Sequence, residues 1–149
     1  MNIYVASSWR NDRQPHVVLA LRKAGHTVYD FKNPEPGNDG FHWSEIDENW
    51  KKWNATQFRE GLDHPVACEG FKSDMTALEN CQACVLVLPC GRSAHLELGW
   101  AVGAGKKTFV LLDEPLSEPE LMYKMVDHLC IGLQDLVSKL QLARCRTTD

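Results

Sequence analysis

The stretch from Cys84 to Ala101 constrains this chain more than any other. Cys84-Val85-Leu86-Val87-Leu88 is a continuous apolar run of strand length that stops at Pro89-Cys90-Gly91. After Arg92-Ser93 comes a segment in which Leu96, Gly99, Trp100 and Gly103 recur at helical spacing. The order is a buried strand, a tight turn and a helix start. In an open parallel sheet, ligands bind outside the carboxyl ends of the strands, where helix N-termini present unpaired N–H groups and a partial positive charge. Glu97 is expected in the first turn of this helix, either as a dipole-stabilised structural carboxylate or as a nucleophile.

The flanking segments repeat the alternation of strand and helix. Residues 2–6 (Asn2-Ile3-Tyr4-Val5-Ala6) read as a first strand, ending in the polar loop Ser7-Ser8-Trp9-Arg10-Asn11-Asp12, a second place for ligand contacts. Val17, Val18, Leu21 and Ala24 form a helical stripe from Gln14 to Ala24, with Pro15 in the first turn and Gly25 as the stop. Thr27 to Phe31 is a second strand, and a connection this long makes the pair a right-handed parallel crossover. Lys32 to Gly40, with Pro34, Pro36, Gly37 and Gly40, is a loop or lid.

Trp43, Ile46, Trp50, Trp53 and Gln57 follow at spacings of three and four, the pattern of an aromatic stripe on a polar helix. The stripe serves core or dimer packing, or offers an indole, Phe41 or His42 to a planar ligand. Val66 to Gln82 reads as a helix carrying Asp74, residues 84–89 as the third strand, and Lys107 to Leu112 as the fourth. Leu121, Met122, Met125 and Val126 suggest a helix, Leu129 to Ile131 a fifth strand, and Leu133, Leu136, Val137 and Leu140 a closing helix. The polar tail 144–149 is expected to fray.

Five strands alternating with helices predict an α/β, flavodoxin-like (Rossmann-like) doubly wound parallel sheet of order 2-1-3-4-5, as a single domain over residues 1–149. Its switch point lies between strands 1 and 3. The Ser7 to Asn11 loop and the Gly91 to Glu97 turn then face each other across one crevice, with the aromatic segment as its cover.

A chain of 149 residues suits one domain, which buries roughly 68–70% of its unfolded surface. The net charge of -4, with no run of Lys or Arg, argues against nucleic-acid and anionic-membrane surfaces. The opening residues form no basic-then-apolar leader and no apolar run is long enough to span a bilayer, so a cytoplasmic protein is expected. In that compartment the six cysteines are expected to be reduced. Cys81-Gln82-Ala83-Cys84 has redox spacing but precedes a strand, whereas thiol activation needs a helix N-terminus. The six histidines show no metal-ligand spacing, so no metal is assigned. Without a Gly-x-Gly-x-x-Gly or P-loop pattern, no nucleotide cofactor is assigned either.

Gly91-Arg92-Ser93 before a helix start combines backbone N–H groups, a guanidinium and a hydroxyl, a set suited to phosphate. The plainer alternative is a helix cap at Ser93 and a solvated Arg92. Three segments then carry a resemblance: Ile3-Tyr4-Val5-Ala6-Ser7, Asp74, and His95-Leu96-Glu97-Leu98-Gly99-Trp100-Ala101. Together they resemble the nucleoside 2-deoxyribosyltransferase superfamily, which includes the 2'-deoxynucleoside 5'-monophosphate N-hydrolases.

The resemblance implies a catalytic nucleophile at Glu97 and, at Asp74, an aspartate that assists the leaving base. Ser7, Ser8, Trp9 and Arg10 would contact sugar or base, and Gly91, Arg92, Ser93 and His95 complete the substrate-binding set. It further implies a homodimer or larger assembly. Such chemistry is reasonable: a carboxylate below the anomeric carbon stabilises an oxocarbenium-like state and forms a glycosyl ester, while a second acid protonates the base. Gly91 stands where transferases of the family usually carry an extra aspartate, six residues before the nucleophile. Arg92 and Ser93 therefore lean toward a 5'-monophosphate.

The reading is an enzyme, an N-glycosyl hydrolase or deoxyribosyltransferase, that cleaves a (2'-deoxy)nucleoside or its 5'-monophosphate and passes the sugar to water or another base. The alternative is a non-catalytic nucleotide-binding or sensing module.

Overall fold

Strand β1 (Asn2–Ala6) exposes only Asn2, β3 (Ala83–Val87) buries all five of its residues, and β4 (Lys107–Leu111) exposes only Lys107. Strands without a polar face must be covered on both sides. With β2 (Thr27–Asp30) and β5 (His128–Cys130) they form one five-stranded sheet, every pair parallel, in the order β2-β1-β3-β4-β5. This is the order the alternating pattern predicts. The structure, a computed structural model, describes residues 1–116 and 118–145.

Alternate side chains serve opposite faces. Ile3, Val5, Val85, Val87, Phe109 and Leu111 join Val17, Val18 and Leu21 of helix α1 (Gln14–Lys23) and Leu136 and Leu140 of α5 (Leu133–Cys145) in one buried cluster. Helix α4 (Arg92–Gly103) packs on β1, β3 and β4 and buries Leu98 together with Ala94 and Ala101, whose small side chains let its backbone approach the sheet. Gly25 (φ 84°) and Gly105 (φ 70°) follow α1 and α4 in the left-handed conformation that ends a helix most easily without a side chain.

The chain divides into two compact units: Met1–Asp30 together with the chain from Asn80 onward, which holds the whole sheet, and Phe31–Glu79. The second unit departs from the expected aromatic helix. Trp43–Glu45 and Trp50–Lys52 are separate single 3-10 turns, and regular helix begins only at α2 (Ala55–Leu62), followed by α3 (Pro65–Asn80).

Local polar bonds divert the chain. Asp47 accepts from the Asn49 N–H (2.8 Å) and from the Trp53 indole N–H (2.6 Å), and these bonds hold its carboxyl below the usual carboxylate range. Asn54 then caps α2 by accepting from the Gln57 N–H, while the Gln57 side chain accepts from the Asn54 N–H. The aromatics meet as a cluster instead of a stripe: Trp43 stands edge-on to Phe41, Trp53 and Phe58, with ring centroids 4.8, 5.7 and 5.9 Å away. A Cβ on Gly61 would lie 2.6 Å from the Trp53 ring, so this glycine lets the indole rest on α2.

Two further boundaries shift. Leu121–Met125 is a 3-10 segment, not an α-helix, and the chain is extended again at Val126. Strand β5 begins one residue earlier than expected because Asp127 clamps it to β4: its carboxylate accepts from the Thr108 N–H (2.8 Å), and its own N–H donates to Thr108 Oγ1 (3.1 Å). At that edge of the sheet Lys139 Nζ donates to the Leu129 carbonyl and to Asp135, both at 2.9 Å. Helix α5 continues through Arg144 to Cys145, so the expected frayed tail is helical there; its remainder, 146–149, lies outside the described residues. No helix among the described residues is long and apolar enough to cross a membrane.

One buried group makes stability depend on pH. His26 is 5% exposed, neither ring nitrogen has a hydrogen-bond partner, and burial, the chain's amino terminus and Arg144 lower its pKa from 6.5. Above that value the ring is neutral in both folded and unfolded chains. As pH falls through about 6.5, the unfolded chain takes a proton that the folded one resists, and stability is lost. Urea midpoints measured at roughly pH 7.5 and 5.5 should fall on acidification, and His26→Leu should flatten the difference.

Candidate active site

The carboxyl ends of β1 and β3 are tied together by the loop that follows β1. Asn11 is buried, and its amide donates to Ser7 Oγ (3.0 Å), the Val87 carbonyl (3.1 Å) and the Pro89 carbonyl (3.1 Å). Its side-chain oxygen accepts from the Arg13 N–H at 2.8 Å. Ser7 completes the tie by donating to the Val87 carbonyl at 2.8 Å. Arg13 Nη1 donates to the Leu88 and Leu112 carbonyls (3.1 and 3.2 Å), joining the ends of β3 and β4. The loop after β1 is therefore hydrogen-bonded directly to the end of β3 and to Pro89, the residue that leads into the Gly91 turn.

These bonds separate the loop residues by task. The Ser7 hydroxyl is engaged in both directions, donating to Val87 and accepting from Asn11. Ser8 is half-buried and accepts from the Arg10 N–H (3.2 Å), while Trp9 and Arg10 are exposed. Asn11 and Arg13, which hold the loop, escaped the sequence reading because an Asn in a polar loop looks like any turn residue.

Across the switch point, Gly91 is the N-cap of α4 and no side chain caps it, so Ser93 does not play the capping role weighed above. Arg92 and Ser93 are the first two helical residues, both exposed, and a Cβ at Gly91 would meet nothing within 4 Å. An uncapped helix start leaves its first amides for solvent or ligand. Glu97 is half-buried in the second turn, not the first, because the helix begins at Arg92 immediately after the turn. The dipole effect falls off within the first turn, so it supports an ionised Glu97 less than expected. Asp74 is half-buried on α3, in the second unit.

His95 is held at both ring nitrogens. Nδ1 lies 2.9 Å from the Gly91 carbonyl and Nε2 lies 2.8 Å from the Tyr123 hydroxyl. The two rings lie within 5° of parallel, with centroids 5.8 Å apart. Tyr123 is a third residue that sequence reasoning passed over, since it occurs inside an apolar run. The Cys90 thiol, 3.6 Å from His95 Nδ1, is pushed up to about 12 by burial and then by the charges of Glu97 and Asp113. A thiol so raised is not a nucleophile near neutrality.

Cys81 and Cys84 are likewise buried thiols with raised pKa values. Among the described residues, no three His, Cys, Asp or Glu side chains are grouped to hold a metal.

A groove of about 780 Å³ runs along α4, lined by Arg92, His95, Leu96, Gly99, Tyr123 and Met125 among others. At 100° per residue, Glu97 projects from the opposite flank of the helix to His95, Gly99 and Val102. The groove thus takes in the candidate residues Gly91, Arg92 and His95, while Glu97 does not line it.

The sheet order defines a doubly wound α/β protein, with the loop after β1 tied to the end of β3 at its switch point. No protein-family model matches the chain, and no curated protein matches it. Among solved structures, it is similar to a 2-deoxyribosyltransferase from the psychrotolerant bacterium Bacillus psychrosaccharolyticus, at 20% identity over 91% of this chain and 89% of that one, with a TM-score of 0.62. It is also similar to a CMP N-glycosidase of Clostridium botulinum, at 18% identity over 96% and 99% of the two chains, with a TM-score of 0.54. These neighbours match the superfamily that the sequence motifs resemble, and at such identities the likeness is one of fold.

The Asn11 network has a measurable weight. Asn11→Ala removes its hydrogen bonds to Ser7, Val87, Pro89 and Arg13 and should cost about 2–3 kcal/mol, read as a lower urea midpoint at unchanged slope. An unchanged midpoint would show that water replaces the carboxamide without loss.

Proposed function

We propose that this protein cleaves the N-glycosidic bond of a nucleoside 5'-monophosphate, with Glu97 as the nucleophile that forms a covalent ester to the sugar. The observation that carries the reading is the arrangement of α4: an uncapped helix start bearing Arg92 and Ser93, followed within two turns by a half-buried carboxylate. One end of this segment suits a dianionic phosphate and the other a developing positive charge at an anomeric carbon. The fold neighbours support the same reading, one named for deoxyribosyl transfer and the other for cleaving CMP.

In this mechanism Glu97 attacks the anomeric carbon as the bond to the base breaks. Asp74, in the role the resemblance implies, delivers a proton to the departing base. Water, or a second base, then attacks the glycosyl ester and regenerates the Glu97 carboxylate. Arg92 pairs with the 5'-phosphate, and Ser93 and the first amides of α4 donate to its oxygens. Gly91 leaves the space in front of the turn open, since nothing stands within 4 Å of where its Cβ would be. Ionisation of Glu97 and protonation of Asp74 are opposite demands on two carboxyls, which their separate environments must meet.

The test is base release, followed by chromatography, from each deoxynucleoside, ribonucleoside and corresponding 5'-monophosphate, with and without an added acceptor base. Wild-type protein should release base from a monophosphate with water alone, and Glu97→Ala should lose at least about a thousandfold of that rate. Full turnover by Glu97→Ala would exclude the covalent mechanism. Asp74→Asn should slow release most for the poorest leaving bases. Arg92→Ala should raise KM for monophosphates roughly tenfold or more while leaving nucleosides nearly unaffected, and equal losses on both would remove the phosphate assignment.

A further inference from the structure

The turn that begins α4 is braced from the groove side by a chain of hydrogen bonds that the proposed mechanism does not use. The Gly91 carbonyl can only accept, so the 2.9 Å contact to His95 Nδ1 requires a proton on Nδ1. In the neutral ring Nε2 is then an acceptor, and the Tyr123 hydroxyl, 2.8 Å away, is its donor. Cys90 Sγ, 3.6 Å from Nδ1, faces a nitrogen that already carries the proton and so takes the accepting part.

Tyr123 is itself anchored. It is 9% exposed, its ring lies nearly parallel to that of His95, and it belongs to the 3-10 segment Leu121–Met125 beside α4. Its hydroxyl is pushed up to about 12, chiefly by burial, and stays a donor across the physiological range.

The peptide between Gly91 and Arg92 converts this brace into an effect on a ligand. In a planar trans peptide the C=O and the N–H point in opposite directions. Holding the Gly91 carbonyl back toward His95 aims the Arg92 N–H outward, away from the helix. A rotation of this peptide would do the reverse and present a carbonyl oxygen to an incoming anion. A helix N-cap carbonyl already accepts one intrahelical bond. The imidazole adds a second donor to the same oxygen.

We infer that Tyr123, acting through His95, is a positioning residue that holds the Gly91–Ser93 turn in its anion-accepting orientation. It touches neither the sugar nor the base. Its ligand class is the phosphate monoester of the proposed substrate, so the substrate arm of the test rests on the function proposed above; the other two arms do not.

The first arm reads the histidine ring in full-length protein labelled with [15N]histidine. His95 should show a protonated Nδ1 and an accepting Nε2, with Nε2 shifted in Tyr123→Phe. A protonated Nε2 in the wild type would overturn the brace. The second arm titrates inorganic phosphate and follows the Arg92 and Ser93 amide signals. Tyr123→Phe should weaken phosphate roughly fivefold, the scale of one lost hydrogen bond.

His95→Asn places an amide donor near the Nδ1 position and should keep more of the phosphate affinity than His95→Leu. Equal phosphate affinity in wild type and Tyr123→Phe, or no phosphate binding by the wild type, would overturn the inference. The third arm compares substrates: Tyr123→Phe should raise KM for monophosphates by the same roughly fivefold factor at nearly unchanged kcat, and leave nucleosides unmoved. A general structural defect would lower both substrates together. If the wild type cleaves nothing, the proposed function fails while the tautomer and phosphate arms still decide the brace.

Discussion

The hydrogen bonds of one buried carboxamide determine how the candidate site is framed. At a switch point neighbouring strands send their chains in opposite directions, and carbonyls at the strand ends run out of ladder partners. Here Asn11 takes the Val87 and Pro89 carbonyls and Arg13 takes those of Leu88 and Leu112. The residues that open α1 thereby finish β3 and β4. With the exit of β3 fixed, the course of the Pro89–Gly91 turn, the start of α4 at Arg92 and the position of Glu97 one turn further on follow in sequence.

Charge in this region is unevenly distributed. Glu97, Asp113 and Glu120 all act on buried thiol or phenol groups nearby, and their influence adds to that of burial to keep Cys90 and Tyr123 protonated. Neutral hydrogen-bonding groups surround the turn where a thiolate would have repelled an anion. The positive side is supplied by Arg92 in the exposed first turn and by the helix amides, with Arg13 half-buried behind them. An anion at this turn would therefore meet backbone donors and the Arg92 guanidinium, while the acidic residues stand on α4 and the loops beyond β4.

The sheet was legible because its strands are nearly uninterrupted apolar runs and its helices carry helical stripes, so type and order followed from periodicity. The Trp43 to Gln57 segment was not, although its spacing fitted a helix. Asp47 and Asn54 spend their side chains on nearby N–H groups, and the aromatic residues gain more from meeting as a cluster than from sharing a helical face. Glu97 was singled out by motif, yet it stands in the second turn of α4 and not the first, which matters because the dipole is felt so locally. Asn11 and Tyr123 act through partners 76 and 28 positions away. Local pattern carries no trace of such contacts.

The Lys139 ammonium also bears on how this protein behaves among its own copies. Strand β5 is three residues long and ends the sheet, with Leu129 and Ile131 exposed on or beside it. An open apolar edge is a template on which another chain can add a strand. By occupying the Leu129 carbonyl, Lys139 removes an acceptor that an incoming strand would need and leaves a cation beside the edge. The salt bridge to Asp135 holds that cation in place. A contact worth little to folding free energy thus leaves the sheet edge a poorer template for an added strand.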